Sequence, residues 1–350
     1  MYSWGRKCLI LQVLAVTVGL AAEPPDPPPL VVRIGGITLR PGGFFELIGE
    51  TRTQTDPDSI STRFGSIPLA DTAAETVASP AHSRVFLHGD RKLGKALLTA
   101  YAESDFLNPV ANSAPYRWRQ YWGSVRAGAW ELLGGQAWSL LRPNRTGVAT
   151  EQGLMNTDVI EPAYHVGLAG ARRRQVRLVR NLGRQDLAVA WENNGIYVAK
   201  LAADRAFGHV EAAAFNGRSR RRGASIAAVI PASSKVRLVT QQMWSHRDIA
   251  EALNLVPPLV GGMATLEGVE AQLRRYFEVY AYAGMVYGDR SGGNRTVRQT
   301  STGFNYRVPT PQWHGWMLFS LQYSYLDRAV WDGHSGAVHY LMYRMRFTLI

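Results

Sequence analysis

The chain has almost no cysteine. Its one Cys is Cys8, so these 350 residues are not a disulfide-stapled mini-protein. Lysine is nearly as scarce, since 34 of the 39 basic residues are Arg and 5 are Lys. Beyond residue 25 no uninterrupted run of 18 apolar residues occurs, which excludes a transmembrane helix from the remainder. Enzyme signatures are missing too: there is no Gly-x-Ser-x-Gly elbow, no His-Glu-x-x-His and no Cys pair. The eight His are scattered without metal-ligand spacing. The residues therefore name no catalytic set, no metal site and no cofactor, and the chain reads as a non-enzyme. A Ser, His and Asn set assembled from separate strands stays open as another reading, a barrel hydrolase.

What is present is apolar and basic. Hydrophobic residues make up 46% of the chain, which excludes a disordered polymer. The formal net charge is +12, which suits nucleic acid, an acidic membrane surface or small anions. The first residues narrow that choice. Arg6 and Lys7 precede an apolar stretch over 8–20, and Gly19, Ala21 and Ala22 are small, so residues 1–22 read as a secretory signal. An exported chain argues against a nucleic-acid partner. Residues 23–35 open with five prolines in seven positions and read as an extended periplasmic spacer.

Along the rest, the hydrophobic period is two. Met317, Phe319, Leu321, Tyr323 and Tyr325 alternate with polar partners such as Ser320, Gln322 and Ser324. Leu341, Tyr343, Met345 and Phe347 oppose Arg344 and Arg346, and Phe277 to Tyr287 behaves alike. Segments 224–231 and 265–273 are less regular. Alternation alone fits a soluble sandwich as well as a barrel. Connection lengths discriminate. Short links at 91–94, 126–128, 181–184, 204–208, 232–234, 272–275 and 309–312 alternate with mostly longer ones at 53–82, 107–115, 142–170, 193–196, 216–223, 245–263, 288–298 and 327–336, of which 193–196 is itself short. The spacing predicts an all-β fold: a transmembrane antiparallel barrel of about 16 strands over 36–350, with short periplasmic turns and long extracellular loops. Closure satisfies every backbone group facing lipid. Trp118, Trp122, Trp130, Trp138, Trp191, Trp244, Trp313 and Trp316 sit near strand ends and are assigned to interfacial girdles.

Several stretches resemble the DcaP-type trimeric outer-membrane porins and their phosphate-selective relatives. Gly135-Gln136-Ala137-Trp138-Ser139 is similar to a strand end that precedes the family's long third loop, whose place 142–170 fills. Tyr116-Arg117-Trp118-Arg119 before Tyr121, the strand 98–106 and the turn Phe207-Gly208-His209-Val210 also resemble family segments. The chain departs in having the proline spacer where the family has a coiled-coil extension, and in ending Phe347-Thr348-Leu349-Ile350. The resemblance implies a homotrimer in the outer membrane of a Gram-negative bacterium, among lipid and lipopolysaccharide. It also implies a passive channel for small anionic solutes such as dicarboxylates. A plugged structural barrel is a further alternative.

Strand phase names the lumen. Arg117 and Arg119 oppose Trp118, Arg173 and Arg177 oppose Val176 and Leu178, and Arg237 lies between Val236 and Leu238. Arg344 and Arg346 oppose Tyr343 and Met345, while Glu103 and Asp105 oppose Ala100 and Ala102. A mid-depth charge on the lipid face costs about 2–4 kcal/mol, so these nine are expected to line the pore. Glu103 and Asp105 are expected to face the arginines across a constriction formed by 142–170. Guanidinium rings favour anions. The competing reading is that the Arg bias is compositional and lies in loops, as Arg218, Arg220, Arg221 and Arg222 do.

Overall fold

The computed structural model describes residues 26–55, 64–107, 116–148, 155, 159–160, 165–193, 195–246, 261–290 and 293–350. The signal-like segment 1–22 lies outside them. The strands are β1 (Val32–Ile34), β2 (Ile37–Arg52), β3 (Glu75–Ser79), β4 (Arg84–Leu93), β5 (Ala96–Asp105) and β6 (Arg117–Ala127). They continue as β7 (Trp130–Trp138), β8 (Arg172–Asn181), β9 (Gln185–Glu192), β10 (Ile196–Arg205), β11 (Gly208–Gly217) and β12 (Arg222–Pro231). The last are β13 (Val236–His246), β14 (Gly262–Arg274), β15 (Phe277–Gly288), β16 (Asn294–Thr310), β17 (Gly315–Val330) and β18 (Ser335–Leu349).

From β4 onward each strand pairs antiparallel with the next, and β18 closes on β2 from Leu349↔Gly43 to Tyr340↔Arg52. Eighteen strands make sixteen staves. β3 and β4 share one edge of β2, pairing at Ile48↔Ser79 and Phe44↔Arg84, and act as a single stave broken around Pro80, which has no N–H to give. β1 only folds back on β2 through Gly35 and Gly36, both at positive φ. The spacer assigned to 23–35 therefore gives way to a hairpin at Val32. An even number of staves returns both ends of the barrel to one rim, where Leu30 N donates to Ile350 O at 2.6 Å. At that rim the links run two to four residues, as at 94–95, 128–129 and 311–314. At the other rim lie the strand ends that the longer connections 53–74, 106–116, 139–171 and 247–261 join.

Alternation decides which face each side chain takes. The outer wall carries Phe45, Leu47, Leu132, Val176, Leu187, Ile226, Phe319 and Leu341, all exposed. Aromatic side chains rim it, among them Trp118, Trp130, Trp191, Trp244, Tyr287 and Trp313. Two of the tryptophans assigned to girdles are inside instead. Trp122 is buried and stacks on Tyr101 at 5.5 Å, and buried Trp138 carries the guanidinium of Arg142 at 5.0 Å. A bulge explains the first. The β5–β6 register steps from Glu103↔Gln120 to Ser104↔Trp118, so Arg119 and Gln120 both turn inward and the phase of β6 reverses beyond them.

Candidate functional site

The interior is a charged wall with one long connection laid across it. The described residues of the segment 139–171 touch most of the barrel's inner circumference. Lys200 Nζ of β10 donates to Arg142 O at 2.7 Å, and the amides of Gly147 and Val148 reach Asp204 and Asp186, both at 3.2 Å. Arg145 meets Glu270 of β14 at 2.6 Å, and its guanidinium is held further in the charged state by that carboxylate. The amides of Ile160, Val166 and Ala169 donate to Gln322, Gln299 and Gln241 at 2.9, 2.9 and 3.0 Å. These glutamines have inward phase on β17, β16 and β13. Unpaired loop amides buried in a barrel would be costly, and the wall supplies their acceptors.

Beneath the polar ties is an apolar layer. Leu140, Leu141, Ile160, Val166 and Ala169 pack with inward Ala188, Ala190, Val198, Phe215, Met243, Val286, Val297, Leu326 and Met342. Phe64 and Ile67 of the connection 53–74 join the same cluster. Two glycines permit the approach. A Cβ on Gly284 of β15 would stand 1.7 Å from Val166 O, and one on Gly336 would stand 1.8 Å from Pro68 O. Gly284→Ala is therefore expected to unseat the segment around Val166 while the barrel still forms. The weakening should be about 1–3 kcal/mol, as for other overpacked contacts. Faster proteolytic cleavage of 139–171 in the folded barrel, with heat-modifiable gel mobility retained, is the readout. An unchanged cleavage rate would contradict the contact.

All nine phase-assigned residues turn inward, but they form bonded clusters and differ in what they show to water. Arg119 Nε donates to Glu103 at 2.7 Å and its Nη1 to Asp105 at 2.6 Å. Arg117 donates to both oxygens of Asp105, at 3.0 and 2.7 Å. Glu103 and Asp105 thus pair with the adjacent strand; they do not face arginines across a gap, because the β6 bulge brings the guanidiniums alongside. Arg84 of β4 extends the row, 3.6 Å from Glu103, and shares the Phe44 ring with Arg346, which bonds Glu46 at 2.8 Å. Arg237 bridges Glu270 and Glu278, each at 2.9 Å, with Arg307 at 4.0 Å from Glu278. Arg344 is buried against Ser320, Asn305 and the carbonyl of Val159, at 3.0, 3.2 and 3.3 Å. Arg177 is buried, donating to Gln175 at 3.0 Å and to Trp138 O. Arg173 is half-buried one step further along β8.

Five of the arginine–carboxylate pairs share a polarity. Arg117 is 34% exposed where Asp105 is 1%, and Arg237 is 39% exposed where Glu270 is 0%. Arg84 over Glu103, Arg307 over Glu278 and Arg346 over Glu46 follow the same order. Arg52–Glu75 and His209–Asp204 reverse it, and in Arg119–Glu103 and Lys200–Glu211 both partners are buried. Phase would have found Glu46 between Phe45 and Leu47, Arg84 before Val85 and Glu270 after Val269. The part played by Arg145 had no such signal, because loops carry no period.

For the hydrolase reading, one Ser–His contact is present among the described residues. His165 Nε2 lies 3.2 Å from Ser301 Oγ, which lies 2.8 Å from Ser324 Oγ. All three are buried, and the contact joins the loop to β16 and β17. Among the described residues no cluster of His, Cys, Asp or Glu is arranged to hold a metal.

The outer-membrane channel DcaP of Acinetobacter baumannii aligns with a TM-score of 0.73 at 15% identity, over 90% of this chain and 98% of that one. The chain has the porin fold. The anion-selective porin from Comamonas acidovorans gives 0.61 at 12% identity, covering 89% of this chain and 99% of its own. Outer-membrane expressed OmpT of Vibrio cholerae gives 0.60 at 11%, covering 91% and 100%. No family model matches, and no curated protein matches in sequence. The DcaP-type resemblance of 98–106 and 135–139 is thus met by likeness of the whole barrel.

Proposed function

We propose that the chain is an outer-membrane porin, a passive diffusion channel with a preference for small anions such as dicarboxylates. The observation that carries this reading is the polarity of the inner ion pairs, with carboxylates set back in the wall and guanidiniums toward the water. A solute in the lumen meets positive charge first, although the pairs are locally neutral. Arg stays protonated and offers a planar fork to carboxylate or phosphate. The anion-selective Comamonas porin shares the fold. In this reading residues 1–22 direct export, the segment 142–170 narrows the pore, and the chain is a homotrimer among lipid and lipopolysaccharide in a Gram-negative outer membrane. It has no catalytic role, cofactor or nucleic-acid partner.

The apolar layer under the segment favours a second reading, a plugged barrel. Planar-bilayer recording separates the two. A porin gives steady steps of current and, in a salt gradient, a reversal potential of anion sign. A plug gives no steps.

Topology has its own test. An epitope inserted at Gly333, in the connection between β17 and β18, is expected to be labelled on intact cells. One at Gly183, between β8 and β9, is expected to be labelled only after the outer membrane is breached. The opposite pattern would invert the barrel.

A further inference from the structure

The outer wall carries a groove that permeation does not use. Along β8 to β11 the outward side chains Val176, Leu178, Val189, Trp191, Tyr197, Ala199, Ala214 and Asn216 line an open trough of about 750 Å³. Its floor is low because Ala199 and Ala214 are cross-strand partners, and Ala224 continues the row beyond Ala214. Above this row stands another, Trp191 beside Tyr197 beside Asn216, with Arg222 next in register. A contiguous pocket of about 560 Å³ shares Trp191, Tyr197 and Asn216 and ends at Gly195, Gly217 and Arg218. Gly195 lacks the Cβ that would meet Arg218 Nε at 3.2 Å, so the guanidinium can lie over the mouth.

The mouth is positively charged. Arg218, Arg220 and Arg222 are exposed in and beside the link from β11 to β12, and none forms an ion pair among the described residues. Exposed Arg174 of β8 flanks the other side. The groove thus has an apolar trough, an aromatic step of Trp and Tyr suited to a membrane interface, and a guanidinium cluster at the rim of the long connections. Such a sequence of surfaces matches an amphiphile with acyl chains below and phosphate above. A zwitterionic headgroup brings one phosphodiester charge together with its own cation, whereas a phosphate monoester brings about −1.5 to −2 and engages guanidiniums by charge-assisted forked bonds.

We propose that this groove binds the phosphorylated, acylated glycolipid of the outer leaflet, with an acyl chain along Ala199 and Ala214 and a phosphate at Arg218 and Arg222. The inference rests on the outer-membrane placement and orientation proposed above. It gives the loop arginines a role separate from the pore, since they lie on the opposite side of the wall from Arg117 and Arg237.

Native mass spectrometry of the detergent-purified protein tests it, with bisphosphorylated lipid A as probe and phosphatidylethanolamine and phosphatidylglycerol as comparators at equal concentration. Wild type is expected to retain lipid A over both phospholipids. R218Q/R222Q is expected to lower lipid A retention about tenfold or more, since each lost charge-assisted bond is of the order that changes affinity tenfold. A214F fills the trough and leaves the charges, and is also expected to lower retention. Heat-modifiable mobility shows that each variant is folded. Conductance and reversal potential should match wild type in both, so a failure of the channel reading appears in wild-type recordings and a failure of the lipid site in the mass spectra. Equal retention of lipid A and either phospholipid by wild type, or undiminished lipid A retention in both variants, would overturn the site.

Discussion

Replacing Arg84, Arg117 and Arg237 with Gln is expected to turn an anion-preferring pore toward cations while the barrel remains folded. These three are inward and partly open to water. Each carboxylate they serve keeps a second guanidinium: Arg119 for Glu103 and Asp105, Arg145 for Glu270 and Arg307 for Glu278. A unit charge about 4 Å from a permeating ion in water is worth about 1 kcal/mol, roughly a factor of five in relative permeability for each arginine on the path. Screening confines the effect to about 8–10 Å. The reversal potential in a salt gradient measures it. Arg119→Gln is expected to behave differently. It removes the buried guanidinium that Glu103 and Asp105 share and leaves them the more exposed Arg84 and Arg117, so a loss of about 1–3 kcal/mol is expected and heat-modifiable mobility should fall with little read in selectivity. If the Gln triple variant keeps its reversal potential, the exposed guanidiniums do not line the permeation path and anion preference must be abandoned.

The barrel was legible because two solvents meet at its wall. Phe319 and Leu321 face one and Ser320 and Gln322 the other, so period two appears wherever the interior is polar. It fades where the interior is apolar. In β9, Leu187 and Val189 face out while Ala188 and Ala190 face in against the loop, so both faces read as hydrophobic. In β12 and β14, inward Ala227, Val229 and Leu266 do the same, and outward Thr265 and Glu267 on β14 blur the pattern further. Phase placed all nine charged residues on the inner side. It could not tell that Arg177 and Arg344 are buried and Arg117 is not, because exposure depends on what the loop covers. Nor could it foresee the Arg119–Glu103 pairing, which a single bulge between β5 and β6 creates. Trp122 was misassigned for the same reason: one inserted residue moves every later side chain to the other face.

Acid is expected to loosen the loop, and His165 sets the sign. Burial pushes this imidazole down to about 4, against an ordinary value of 6.5, with partial relief from the Val166 carbonyl. That carbonyl lies 3.0 Å from Nδ1, so Nδ1 carries the proton and Nε2 accepts from the Ser301 hydroxyl. The neighbouring ring of Tyr282 lies at 5.8 Å, and no carboxylate contributes to the shift. The docked loop therefore holds neutral His165, while an undocked loop would take up the proton at its ordinary value. Above pH 6.5 both states are neutral and docking is at full strength. As pH falls from 6.5 to about 4 the undocked state binds the proton and the docked state does not, so docking weakens throughout that window. Below about 4 both are protonated and the loss from this group stops growing. At about 1.4 kcal/mol per pH unit the full effect is on the order of 3 kcal/mol. Proteolytic cleavage of 139–171 in the folded barrel, followed between pH 7.5 and 4, is expected to accelerate in wild type. His165→Gln keeps a hydrogen-bonding group but cannot titrate, so its cleavage rate should lack the rise that begins near pH 6.5. A rise of equal size in the Gln variant would remove His165 from the account.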